Sequence, residues 1–80
     1  MIIEITRGHV VFEFAGKRLT IQGEAYLPGH GSPDFVIYKN SIRRWDPPSH
    51  EHPIDNKTRE DILQALAREM RDRGMRVEIE

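Results

Sequence analysis

The segment at residues 56–73 constrains the fold most, because it carries the clearest amphipathic helix pattern in the chain. Its apolar residues recur at helical spacing along one stripe: Ile62, Leu63, Leu66, Ala67 and Met70. Asp55 or Asn56 can cap the amino end, and Gly74 is suited to end the helix. Burial of one stripe does not compensate for the conformational entropy lost in ordering so long a segment. The helix therefore requires a second layer to pack against.

Alternation of apolar and polar residues in the rest of the chain predicts that layer. The alternation indicates strands at about residues 1–7, 9–15, 17–25, 35–39 and 75–80. Arg7-Gly8 and Ala15-Gly16 supply turns between the first three strands. The order β-β-β-β-α-β predicts a single α+β domain over residues 1–80, with a small, mainly antiparallel sheet and one helix packed on one face.

Composition excludes several classes of protein and site. The 80 residues include no cysteine, which removes disulfides, thiol nucleophiles and sulfur-ligated zinc. Twelve basic residues stand against 13 acidic ones, for a net charge of −1, whereas a nucleic-acid binder normally has a basic surplus. No stretch approaches the length of a membrane span, and the amino end lacks the pattern of a secretory signal. We expect a cytoplasmic protein that binds neither nucleic acid nor membranes.

Three groups of residues have the types that chemical sites use. Two loops carry zinc-ligand types, namely His30, Asp34, His50, Glu51 and His52, but their spacing favours solvated loops. Residues 28–32 are rich in glycine but lack the lysine and the following helix of a phosphate loop. Ser49 and His50 have no rigid cleft to align a nucleophile with its base. We expect no enzyme activity, no cofactor and no metal site.

The most informative cluster surrounds the single tryptophan. Tyr38, Arg43 and Arg44 lie close to Trp45 in the sequence, and Trp, Tyr and Arg are the residue types that concentrate in interface hot spots. An exposed Trp45 would mark a docking site. The alternative, which we favour for Trp45, is a plug between helix and sheet. Arg43 and Arg44 are expected to be exposed in either case.

Several short motifs extend over nearly the whole chain. They are Ile21-Gln22-Gly23-Glu24, Phe35-Val36-Ile37-Tyr38 followed by Ser41-Ile42, Trp45-Asp46-Pro47-Pro48, Ile54, and an Ile62-Leu63 helix that ends at Gly74 before Val77-Glu78-Ile79. Together they resemble the bacterial Immunity protein 74 family. The resemblance implies a cytoplasmic antidote that binds one toxin domain, of the kind deployed against neighbouring bacteria, and blocks it by protein–protein contact.

Gly23-Glu24 and Trp45 with Pro48 match the family pattern most closely. With the cluster around the tryptophan, they give the candidate partner-binding residues: Glu24, Tyr38, Arg43, Arg44, Trp45 and Asp46. The loops at residues 28–33 and 49–53 lie outside the resemblance, and such loops can determine the choice of partner. The net charge gives no sign of an acidic mimic of nucleic acid, so the activity of the toxin stays open.

Two other functions are compatible with the sequence. The chain could be a small non-enzymatic structural or regulatory domain that self-associates into a homo-oligomer through a sheet edge, because five short strands do not obviously close into a barrel. Nucleic-acid binding through Arg43, Arg44 and the helix arginines is a third hypothesis, which the balanced charge disfavours.

Overall fold

The protein folds into a five-stranded sheet with one long helix. A computed structural model describes residues 1–27 and 31–80. Its elements in chain order are β1 (Ile2–Ile5), β2 (His9–Phe14), β3 (Lys17–Ala25), β4 (Phe35–Ile37), a short 3-10 helix (Lys39–Ser41), α1 (Asn56–Asp72) and β5 (Val77–Ile79). The predicted α+β class and the order of its main elements are confirmed.

The strands lie in the order β1-β2-β3-β4-β5, which is also their order along the chain. The first four pair antiparallel, with tight connections between the first three. β5 instead pairs parallel to β4, with Phe35 opposite Val77 and Ile37 opposite Ile79. A parallel neighbour requires a crossover connection, and α1 lies within that crossover. The sheet is therefore antiparallel except at one edge.

One hydrophobic core lies between α1 and the sheet. Its fully buried side chains include Phe12, Leu19, Ile21, Phe35, Ile37, Ile62, Leu66 and Met70. The predicted stripe of α1 supplies the helix side of this core, since Ile62, Leu63, Leu66, Ala67 and Met70 are all buried. Successive side chains of a strand point to opposite faces, so the alternate residues of β3 lie on a second face that α1 does not cover.

Both ends of α1 have the expected stop signals. The Asp55 carboxylate accepts a hydrogen bond from the Thr58 amide at 2.7 Å, which satisfies one free amide of the first turn. At the other end Gly74 has a positive φ of 81°, and the Met75 amide donates to the Met70 carbonyl at 3.1 Å. The bond between Met75 and Met70 belongs to a Schellman ending, and both methionines pack in or against the core.

Gly23 permits β3 and β4 to pack closely. A Cβ atom at this position would overlap Cε1 of Phe35 and lie 2.5 Å from the carbonyl oxygen of Val36. A side chain at residue 23 would thus collide with a core ring and with neighbouring backbone. Gly23 therefore has a structural reason to be glycine.

The chain after β4 leaves the regular ladder but stays along the edge of β3. The Tyr38 amide donates to the Gln22 carbonyl at 3.0 Å, and the Gln22 amide donates to the Ser41 hydroxyl at 2.9 Å. Further along, the Asp46 amide donates to the Arg18 carbonyl at 2.7 Å. Residues 38–46 thereby satisfy backbone groups of β3 where β4 has ended. This segment carries most of the candidate partner-binding residues.

Candidate protein-binding surface

Trp45 lies inside the protein rather than on its surface. Its side chain is 5% exposed and belongs to the core between α1 and the sheet. The Nζ atom of Lys17 lies 5.3 Å from the centroid of the indole ring, within the range of a cation–π contact. The structure therefore places Trp45 as the plug that the sequence favoured.

Asp46 is half-buried and is bonded to the sheet through both its backbone and its side chain. Its amide donates to Arg18, and its carboxylate oxygen Oδ2 accepts a hydrogen bond from the Thr20 hydroxyl at 3.0 Å. Asp46 and Trp45 together attach the segment to β3 and to the core. Both residues have clear roles in the fold.

Glu24 and Tyr38 lie together on the face of the sheet that α1 leaves open. The Tyr38 hydroxyl donates to Oε2 of Glu24 at 3.0 Å, and the Tyr26 hydroxyl lies 3.5 Å from the same oxygen. We call Glu24, Tyr26 and Tyr38 the tyrosine patch. One carboxylate thus orients two aromatic side chains at the protein surface.

Negative charge around the tyrosine patch changes how its hydroxyls ionise. The hydrogen bond to Glu24 raises the pKa of Tyr38 above its ordinary value. The negative charge of Glu24 raises the pKa of Tyr26, and Glu80 acts in the same direction on both rings. Glu78 lies in the same cross-strand row as Glu24, with Val36 between them. Three carboxylates thus lie around the patch, against one arginine, Arg7, which lines a hollow with Tyr26.

Tyr26 belongs to the patch but was missing from the candidates chosen by sequence. It stands two residues after Glu24, and a period of two places both side chains on the same face of an extended segment. That spacing was the available signal. Tyr38 reaches the same carboxylate because the antiparallel register pairs β3 with β4, which the sequence alone did not specify.

Arg43 and Arg44 are exposed, as expected, and lie beside a second loop. With His50, Glu51, His52 and Pro53 they line an open hollow of about 430 Å³. We call residues 43–53 the basic loop, because two arginines and one glutamate line its hollow, while the Asp46 carboxylate is bonded to β3 instead. Backbone pairing between Arg44 and Pro53 closes its two ends, and Nε of Arg43 donates to the Asn40 carbonyl at 2.9 Å. The hollow is shallow and charged rather than deep and enclosed.

The histidines do not assemble a metal centre within residues 1–27 and 31–80. No group of three or more His, Asp or Glu side chains there has the arrangement to hold a metal ion. His30 and most of the glycine-rich segment, residues 28–30, lie outside the described residues. None of the described helices is long and apolar enough to cross a membrane.

Comparison with known protein families shows which family the chain belongs to. The family described as Immunity protein 74 matches residues 2–80, which is essentially the whole sequence. The chain belongs to the Immunity protein 74 family. The resemblance drawn from the short motifs is thereby confirmed. No curated protein and no solved structure matches the chain.

Membership in the Immunity protein 74 family assigns a general role. Proteins of this class protect against toxins and are generally not enzymes. Two of the residues on which the resemblance was drawn, Gly23 and Trp45, are buried in this fold. Glu24, by contrast, is exposed in the tyrosine patch. The motifs that carry the resemblance therefore include two residues that maintain the fold and one residue on the open face of the sheet.

Proposed function

We propose that this protein binds a cognate bacterial toxin domain in the cytoplasm and neutralises it by direct contact. The observation that carries the proposal is the family match over residues 2–80. The shallow, open form of the hollow at Arg43 and Arg44 is compatible with it. A protein that blocks a toxin needs a stable contact surface of about 800 Å² and no chemistry of its own.

The tyrosine patch is our first candidate for the contact surface. Tyrosine is enriched in binding hot spots because it supplies a large contact area with few rotatable bonds. Tyr38 is held by a hydrogen bond to Glu24, so less of its side-chain freedom is lost when a partner binds. Glu24, Glu78 and Glu80 make the surroundings acidic. The complementary partner surface is therefore cationic.

Co-expression with a toxin encoded beside this chain tests the function. We expect the wild-type protein to restore growth and to co-purify with the toxin domain. Tyr38→Ala is expected to weaken the complex about thirtyfold, the effect of removing a hot-spot residue. Glu24→Lys is expected to weaken it further, because it opposes a cationic partner. Calorimetry on the purified pair measures both affinities.

Gln64→Lys provides the matched control, because Gln64 is exposed on α1 and far in sequence from the patch. This control is expected to leave affinity unchanged. Absence of growth rescue and of a complex with the wild-type protein would refute the proposed function. Unchanged binding by both patch variants, with the wild type still binding, would instead place the contact elsewhere on the surface.

Self-association through a sheet edge is a second candidate, favoured by the sheet order. β1 and β5 are the edge strands of an open sheet, and backbone groups on a free edge can pair with another chain. Both edges carry two exposed side chains, Ile3 and Glu4 on β1 and Glu78 and Ile79 on β5. Sedimentation over a wide concentration range tests this, and a strictly monomeric protein at high concentration would argue against it.

A further inference from the structure

The basic loop presents several hydrogen-bond donors around one hollow. Arg43 and Arg44 contribute guanidinium groups, and His50 and His52 contribute imidazole rings. Guanidinium groups bind carboxylates through paired, charge-assisted hydrogen bonds. Nε of Arg43 is held by the Asn40 carbonyl, which fixes the direction of its side chain. The donor set is suited to an anionic ligand.

The backbone of this loop is organised before any ligand binds. The Arg44–Pro53 bridge joins its ends, and the Ser49 and His52 amides donate to the carbonyls of Asp46 and Ser49, each at 3.0 Å. Trp45 in the core and Asp46 on β3 attach its first half to the fold. A loop held in this way loses little additional backbone freedom on binding, which favours affinity.

The charges around the hollow favour carboxylates of a protein over a nucleic acid. Glu51 lines the same hollow, which therefore holds two guanidinium groups against one carboxylate. Nucleic-acid binding draws on many phosphate contacts, whereas two arginines and a balanced chain supply few. Two guanidinium groups are enough to pair with one or two carboxylates.

The basic loop also lies close to the tyrosine patch. Tyr38 and Arg43 are five residues apart, so their Cα atoms are separated by at most about 18 Å. The intervening 3-10 helix, Lys39–Ser41, shortens that path. A standard interface of about 800 Å² per partner is about 30 Å across. A single partner is therefore large enough to contact both regions.

We propose that the basic loop binds a carboxylate-rich segment of the same toxin domain that the tyrosine patch contacts. This inference rests on the proposed function and deepens it. The toxin then presents cationic groups to Glu24 and acidic groups to Arg43 and Arg44. Two patches of opposite charge define one orientation of the partner, because the reversed orientation would place like charges together.

The double variant R43Q/R44Q tests the contact with the full-length protein and the toxin domain. Both side chains are exposed, so thermal unfolding is expected to match that of the wild type. We expect the double variant to bind the toxin about tenfold more weakly, the combined effect of two partly exposed ion pairs. Its affinity is also expected to depend less on salt concentration. R68Q/R71Q, which removes two exposed arginines of α1, is the matched control and should bind like the wild type.

An oligoglutamate peptide tests the chemistry of the hollow without the toxin. We expect the peptide to shift the NMR signals of the Arg43 and Arg44 side chains in the wild-type protein, whereas an oligolysine peptide leaves them unchanged. Stronger binding of a short RNA than of oligoglutamate at this loop would overturn the assignment to a protein segment. Absence of any shift with oligoglutamate would overturn it as well.

The two experiments separate this inference from the function on which it rests. If the wild-type protein does not bind the toxin, the proposed function fails. If the wild type binds and R43Q/R44Q binds equally well, only the basic-loop contact is refuted. Parallel weakening of R43Q/R44Q and R68Q/R71Q would show a general charge effect and would also refute a specific contact.

Discussion

Two adjacent pairs of residues in one segment have opposite environments. Arg43 and Arg44 are exposed at the hollow of the basic loop, whereas Trp45 is in the core and Asp46 is bonded to β3. All four were candidates for partner contact because their residue types or their match to the family pattern suggested it. The difference teaches that residue type alone does not separate a contact surface from the structure that supports it.

The largest expected effect compares Trp45 with its neighbour. Trp45→Ala removes a buried ring from the core and is expected to lower the free energy of unfolding by about 3–5 kcal/mol. Arg44→Ala removes an exposed side chain and is expected to change it by less than about 0.5 kcal/mol. Urea unfolding measures both. Similar values for the two variants would break the distinction between supporting and exposed residues.

Gly23 extends the comparison to a second buried position, where only close packing is at issue. Gly23→Ala places a Cβ against the Phe35 ring and the Val36 carbonyl, and is expected to destabilise the fold by about 1–3 kcal/mol. Gly8→Ala is the control, since a Cβ there would have no neighbour within 4 Å. Thermal unfolding distinguishes them. An equally stable Gly23→Ala variant would contradict the close approach of β3 and β4.

Asp46 should show a smaller effect, because its side chain makes one hydrogen bond at a half-buried site. Asp46→Ala removes the acceptor for the Thr20 hydroxyl and is expected to lower stability by about 1–2 kcal/mol. Asp46→Asn keeps a carbonyl acceptor and should lose less. The measurement is again urea unfolding. A toxin affinity that falls while stability is unchanged would instead make Asp46 a contact residue.

The smallest expected effect concerns ionisation in the tyrosine patch. Because the pKa of Tyr38 is raised in the fold, its hydroxyl stabilises the protein below the unfolded tyrosine pKa, and this contribution is lost as pH rises through the folded pKa. Glu24→Gln should move the pKa values of Tyr38 and Tyr26 downward. NMR of labelled tyrosine follows the titration. Glu60→Gln on α1 is the control and should leave both midpoints in place.

The sequence was sufficient to predict the elements that depend on local pattern. The helical spacing from Ile62 to Met70, with Asp55 before it and Gly74 after it, specified α1 and its buried stripe. Alternation specified the order of strands along the chain. These features depend on neighbours a few residues apart, which a single sequence records directly.

Features that depend on distant pairing could not be predicted in the same way. The parallel placement of β5 beside β4 brings Glu78 into the row of Glu24, and the β3–β4 register brings Tyr38 to the same carboxylate. The net charge of −1 averages over this acidic area and the basic loop. The acidic area therefore becomes visible only when the strands are paired, whereas Arg43 and Arg44 are adjacent in the sequence.

The attachment of residues 38–46 to β3 separates the framework from the side chains that can vary. Trp45 and Asp46 hold the backbone of this segment against the fold, while the side chains of His50, Glu51 and His52 are exposed. Substitutions at those positions can accumulate without loss of the scaffold. A protein built in this way can acquire a new specificity by exchanging a handful of loop side chains, while one tryptophan and one aspartate preserve its shape.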